Sequence, residues 1–233
     1  MAESRMPDRL PLTRIQRLIG RYMHQSKQTK ASAYLTVRAD LTELTAMRRA
    51  YCKAVKVRAT TQDFFICAIA RAIAAYPLMA AAFAQNNEHL EISEEIGVGF
   101  AVAAPQGLVV PVVKDVEHKT LPQLAADSEA LLKKARANKL ELDDFDGANI
   151  VLTGLGMYGI EGFYAISPPS ALGIVSIGTI EEVVVPAENG FMTRKKMNVA
   201  LAFDQCLVDE FYAAAFLKHI ADALADPWSL THD

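Results

Sequence analysis

Helix-period and strand-period stretches fall in different parts of this 233-residue chain, and that separation limits the fold more than any other feature. Leu12, Ile15, Leu18, Ile19 and Tyr22 recur at helical spacing behind a possible capping box of Thr13 and Gln16. Ala33–Asp40 alternates like a half-buried strand. A helix capped from Asp40 or Thr42 runs through about residue 56, and another runs from Thr60/Thr61, with Asp63 in its first turn, to Pro77. Beyond these, β-branched runs dominate. Gly97–Ala104 and Leu108–Val113 flank the turn residues Pro105, Gln106 and Gly107 and read as a hairpin. Leu121–Asn138 reads as a helix with Leu121, Leu124, Leu131 and Leu132 inward, and with Lys133, Lys134 and Arg136 at its cation-favouring end. Strands are expected at Ile150–Thr153 and near 163–167, 172–178, 180–185 and 197–203. A closing helix from about Asp209 to Pro227 puts Ala213, Leu217, Ile220 and Leu224 on one face. Strands and helices do not alternate strictly, which excludes a doubly wound nucleotide fold. The pattern predicts one α+β domain with a mixed or largely antiparallel sheet over residues 10–230, behind a flexible polar segment at 1–9.

Composition narrows the function classes. With 52% hydrophobic and 22% charged residues the chain belongs with ordinary globular proteins. A net charge of −3 gives no basic field for nucleic acid or an anionic membrane. Cys52, Cys67 and Cys206 have no C-x-x-C spacing, which argues against a disulfide framework or zinc site and for a reducing compartment. No apolar signal core or membrane-length apolar run is present, so a cytoplasmic location is expected.

Three features of the sequence bear on chemistry. The run Gly154, Gly156, Gly159 has G-x-G-x-x-G spacing, but a strand, not a helix, is expected after it. The glycines therefore read as positions of close backbone approach or positive φ. His24, His89, His118, His219 and His232 show no metal-ligand spacing, and no G-x-S-x-G elbow occurs. The third is Leu201–Phe211, an apolar strand running through a polar turn of Asp204, Gln205 and Cys206 into an Ala-rich helix. Scaffolds often present reactive side chains on such a turn.

Five stretches in register resemble one family: Pro11–Thr29, Val98–Lys114, Lys134–Leu140 with Asp146, Gly147 and Leu152–Met157, Pro168–Gly178, and Asp204–Leu217 in the frame D-H-R-x-x-D-G…F-L. The family is the catalytic domain of the dihydrolipoamide acyltransferases of 2-oxo acid dehydrogenase complexes, related to chloramphenicol acetyltransferase. The resemblance spans about residues 10–230. It implies a two-layer sandwich with a mixed sheet that assembles as a homotrimer. Between neighbouring subunits of such trimers, a channel admits coenzyme A from one side and dihydrolipoamide from the other. In the family a histidine takes the thiol proton, a Ser or Thr hydroxyl donates to the developing oxyanion, and an Asp, held by an arginine of the opening helix, shapes the loop.

By that resemblance Thr153 is the oxyanion donor and Asp209 the structural Asp, with Arg17 or Arg21 to pair with it. Gln205 stands at the histidine position, Cys206 at the arginine position and Glu210 at the glycine position. Gly154 follows the donor where an Asn often stands, and Ser32 replaces a histidine. An amide has no basic pKa near neutrality, and losing a general base costs about 10²–10⁴ in rate. The expected function is therefore a pseudoenzyme: a catalytically impaired, structural or regulatory trimeric subunit of a 2-oxo acid dehydrogenase-type complex. Its partners would be an active acyltransferase paralogue or a lipoyl-domain protein. Two rivals stand beside it. One is an active acyltransferase with Glu210 as substitute base or Cys206 as acyl carrier, and the other is a coenzyme A or acyl-CoA sensor. No covalent cofactor and no metal are expected; coenzyme A is the expected substrate or ligand. No lipoyl or subunit-binding domain is expected, and the polar tail from Asp226 to Asp233 suggests a trimer without a cage.

Overall fold

The computed structural model describes residues 10–84, 88–105, 107–188 and 190–231. The expected segment at 1–9, Gln106 of the expected turn and the last two residues of the tail lie outside the described residues. In chain order the elements are α1 (Arg14–Thr29), β1 (Ser32–Asp40), α2 (Thr42–Val55), α3 (Thr61–Ala75), β2 (Ala81–Phe83), β3 (Leu90–Ile92), β4 (Val98–Phe100), β5 (Val102–Ala104), β6 (Gly107–Val109), β7 (Val112–Val113), α4 (Leu121–Arg136), β8 (Ile150–Gly154), β9 (Gly173–Ala187), β10 (Gly190–Asp204) and α5 (Glu210–Ala225). The main sheet has the order β1-β10-β9-β8-β4-β7. β8 pairs in parallel with β4 and β9, and the remaining pairs are antiparallel, so the sheet is mixed.

The strand period of two assigns the layers. Ile150, Leu152, Val175, Leu201 and Phe203 enter the large core with the helical residues Phe64, Phe65, Ile69, Phe216 and Ile220. Their neighbours Val151, Ile174 and Ala202 point the other way, onto a small cluster with Ala171. The result is an α+β two-layer sandwich, with helices on one face and the loop through Ala165 and Ala171 on the other. Helix boundaries follow their caps: Thr13/Gln16 opens α1 and Thr60/Asp63 opens α3, each as a reciprocal capping box.

Four expectations are corrected. Residues 163–167 form no strand; the segment is irregular and lies over the sheet. The strands expected at 172–178 and 180–185 are one continuous strand, β9, whose pairing with β10 shifts register between Met197 and Val199 without ending the strand. The hairpin over 97–113 splits into two antiparallel ladders, β4 with β7 and β5 with β6, because Ala101 between them donates to Leu152 O of β8. A 3₁₀ turn at Gly156–Tyr158 lies within the glycine run, and the same irregular segment follows it. Leu131 and Leu132 are only half-buried, while Leu121 and Leu124 are fully inward.

One apolar face is left uncovered in the single chain. Leu12, Leu18, Ile19 and Tyr22, the stripe that defined α1 in the sequence, are all exposed. Among the described residues no helix is long and apolar enough to cross a membrane.

Candidate active site

The turn after β10 is built from short backbone links. Asp204 is buried, and its Oδ1 accepts from the N–H of Ala31 at 3.2 Å and of Cys206 at 3.1 Å. The Gln205 N–H donates to Ala31 O at 3.0 Å, which pins the turn to the start of β1. Gln205 itself is exposed, and its Nε2 donates to Glu210 Oε2 at 2.9 Å. The side chain at the position of interest is thus an amide bonded to a carboxylate, and neither amide atom can accept a proton from a thiol near neutral pH. Glu210 opens α5, where the helix dipole favours an anion. Cys206 is exposed rather than packed.

Asp209 has a structural role of a different kind from the expected ion pair. It is the N-cap of α5, its Oδ1 accepting the Tyr212 N–H at 2.7 Å. Among the described residues neither Arg17 nor Arg21 pairs with it. Their guanidinium groups donate to Leu12 O and Arg17 O along α1, and both residues are exposed. The basic edge of α1 is a solvated one.

Thr153 lies elsewhere, near the end of β8, on a cleft of about 390 Å³ shared with Thr61, Gln62, Gly154, Gly156 and Met157. The glycine run shapes this cleft as the sequence suggested. A Cβ on Gly156 would come within 2.3 Å of Gly178 O, and Gly159 has φ +75°. A second cleft of about 500 Å³ shares Thr61 and Gln62 with the first. Arg48, Arg58, Lys133 and Arg136 line it. Beneath it Asp63 is buried, accepting from Ser128 Oγ and from the Thr60 N–H and hydroxyl, and burial raises its pKa. The sequence reading took Lys133 and Arg136 as helix-end cations and missed the cleft. Their three-residue spacing was the available signal, but the convergence with Arg48 and Arg58 is tertiary.

The chain does not bring Thr153 and Gln205 together. Ladder register aligns Thr153 with Ser176 and Ser176 with Ala200, two strands away and five positions before Gln205. At ordinary strand spacing and rise this separates them by about 20 Å, far beyond the ~3 Å of reacting atoms. Thr153 and Asp209 are likewise in different regions, whereas Gln205, Asp209 and Glu210 share one turn.

The chain is a mixed-sheet sandwich with an exposed strand-to-helix turn at one end and a hydroxyl-bearing cleft at the other. Its backbone is similar to that of chloramphenicol acetyltransferase, with a TM-score of 0.53 at 13% identity, a likeness of fold alone. The chain matches the 2-oxoacid dehydrogenases acyltransferase (catalytic domain) family over residues 4–232, and it belongs to that family. It is 29% identical over 222 residues to the dihydrolipoyllysine-residue acetyltransferase component of the Rickettsia conorii pyruvate dehydrogenase complex, covering 94% of this chain and 53% of that one. The chain therefore spans about half the length of that relative. Among solved structures, it is similar to the Azotobacter vinelandii dihydrolipoamide acetyltransferase, with TM-score 0.90, 29% identity and coverage of 96% of this chain and 93% of that one. That enzyme was studied for the role of a serine, a histidine and an asparagine in its catalytic mechanism. The cubic core of a pyruvate dehydrogenase multienzyme complex is equally similar, with TM-score 0.90, 29% identity and coverage of 98% and 96%.

Proposed function

We propose that this chain is an acyltransferase-fold subunit of a 2-oxo acid dehydrogenase-type assembly in which proton abstraction has been lost. The single observation that carries the reading is the side chain at 205: an exposed amide bonded to a carboxylate where a thiol would need a base. The site assignment is supported by spacing. The serine, histidine and asparagine studied in the Azotobacter vinelandii enzyme are separated along that chain just as Thr153, Gln205 and Asp209 are along this one. Acyl transfer joins a thiol sulfur to a thioester carbonyl, displaces a second thiol and moves one proton. Thr153 keeps the hydroxyl that can donate to the oxyanion, but no side chain at 205 takes the proton.

The separation of about 20 Å between Thr153 and Gln205 calls for a second copy to complete any site, so the working unit is a homotrimer with channels between subunits. The exposed apolar stripe of α1 supports an assembly of this kind. The cationic cleft beside the Thr153 cleft supports coenzyme A as ligand, because four side-chain cations suit its phosphates. Partners of matching chemistry are an active acyltransferase paralogue within the same trimer and a lipoyl-domain protein.

The test is acetyl exchange between acetyl-CoA and dihydrolipoamide by the purified chain. Turnover far below an enzyme median of ~10 s⁻¹ is expected, and turnover within about tenfold of it would sink the proposal. A second reading rests on the Glu210 carboxylate, 2.9 Å from Gln205 and on the same turn: Glu210 as the substitute base. If that reading holds, Glu210→Gln lowers any residual exchange by about 10²-fold or more. The proposal made here expects no such fall.

A further inference from the structure

Beneath the Gln205 turn lies a polar cluster that the chemistry above does not use. Lys30, at the C-terminus of α1, reaches inward. Its Nζ donates to Ser167 Oγ at 3.2 Å and to the carbonyls of Pro168 and Ala171, all on the loop that covers the sheet's second face. Asp204 shares strand parity with Ala202 and so faces the same loop. One residue after Lys30, Ala31 is bonded to the turn twice, giving its N–H to Asp204 and receiving the Gln205 N–H. The ammonium thus stands where the covering loop, the α1–β1 junction and the Asp204–Cys206 turn meet.

We propose that Lys30 is a positioning residue for this turn: its ammonium ties the end of α1 to the 167–171 loop, and so fixes Ala31, whose two backbone bonds hold the turn that presents position 205. The proposal rests on the reading that this turn is the site. The carbonyls do not need Lys30 for their own satisfaction. Ala171 O also accepts from Ser167 Oγ at 2.9 Å, and Pro168 O accepts the Ala171 N–H at 3.2 Å. What the loop and Ala31 lack without Lys30 is a positive charge opposite the buried carboxylate.

The groups facing Lys30 are few among the described residues. From the end of β10 comes Asp204, the charge acting on it. The loop presents the Ser167 hydroxyl and the two carbonyls, and α1 presents Ser26, whose hydroxyl donates to Ser167 O. Burial lowers the pKa of Lys30 from 10.5 to about 8, and the charge of Asp204 opposes that shift. The ammonium is therefore lost as pH rises through about 8, and the turn should loosen in the same range.

Amide hydrogen exchange on the full chain tests this without any activity measurement, so its outcome is separate from whether acyl transfer survives. Protection factors of the Ala31 and Cys206 amides, corrected for base catalysis, should fall by about tenfold between about pH 7 and about pH 9 in the wild type. Lys30→Arg, charged throughout, should hold them level. Lys30→Met should show the low values at both pH values, and by more than any fall in its Tm accounts for, because the buried Asp204 carboxylate is left without an opposing charge. Protection in Lys30→Met within about twofold of wild type, or a fall that merely follows a fall in Tm, would overturn the assignment. If Lys30→Met does not fold, wild type against Lys30→Arg decides, and coincident pH profiles overturn it.

Discussion

The two ends of the central sheet that the proposed function draws on are built differently. At the β8 end, Thr153 sits in a cleft walled by glycine backbone, where Gly156 leaves no room for a side chain against Gly178. At the β10 end, Gln205 projects into solvent from a turn held by backbone bonds to Ala31 and Asp204. Packing fixes the first end, so a substitution there strains the fold. At the second end the frame lies beneath the surface, and the outward side chains are free to change without disturbing it. On the proposed reading, the hydroxyl lies where shape is restrictive and the base is missing where shape is permissive. The frame of an active site is thereby separable from its reagent.

That contrast can be broken or sharpened by substitution. Gly156→Ala should have the largest effect on stability, about 3 kcal/mol or more by denaturant unfolding, because a Cβ 2.3 Å from Gly178 O forces backbone to move. A cost under about 1 kcal/mol would mean that the Thr153 end is not the rigid one. Asp209→Ala should cost about 1 kcal/mol, the usual value of an N-cap. The loss should be the same at low and high salt, because the carboxylate caps a helix rather than pairing with Arg17 or Arg21. A strong salt dependence would restore the ion pair.

The capped helices and the α+β layering were legible in the sequence because each rests on local periodicity. The capping box at Thr13, the start of α3 at Thr60/Thr61 and the inward face of α5 are found as read. The run from β8 onward was less legible. The chain at 163–167 carries Phe163, Tyr164 and Ile166, a strand-like pattern, yet it crosses the sheet as a covering loop because the ladder positions beside β8 and β10 are filled by β9. Of the site, the turn residues Gln205, Asp209 and Glu210 could be read together, since they are neighbours in sequence. Among the described residues Asp209 caps its own helix, and Arg17 and Arg21, the partners the sequence offers, bond along α1 instead. The cationic cleft and the reach of Lys30 under the turn were not legible, since both join residues roughly eighty or more positions apart through tertiary packing.

The central claim is that the turn has kept its geometry and lost its base. Single-turnover acetyl transfer from acetyl-CoA to dihydrolipoamide, comparing wild type with Gln205→His, tests it most directly. The account predicts a gain of about 10²–10⁴ in the variant, the range of a restored general base. Wild-type transfer already as fast as that of Gln205→His, and near ~10 s⁻¹, would contradict it.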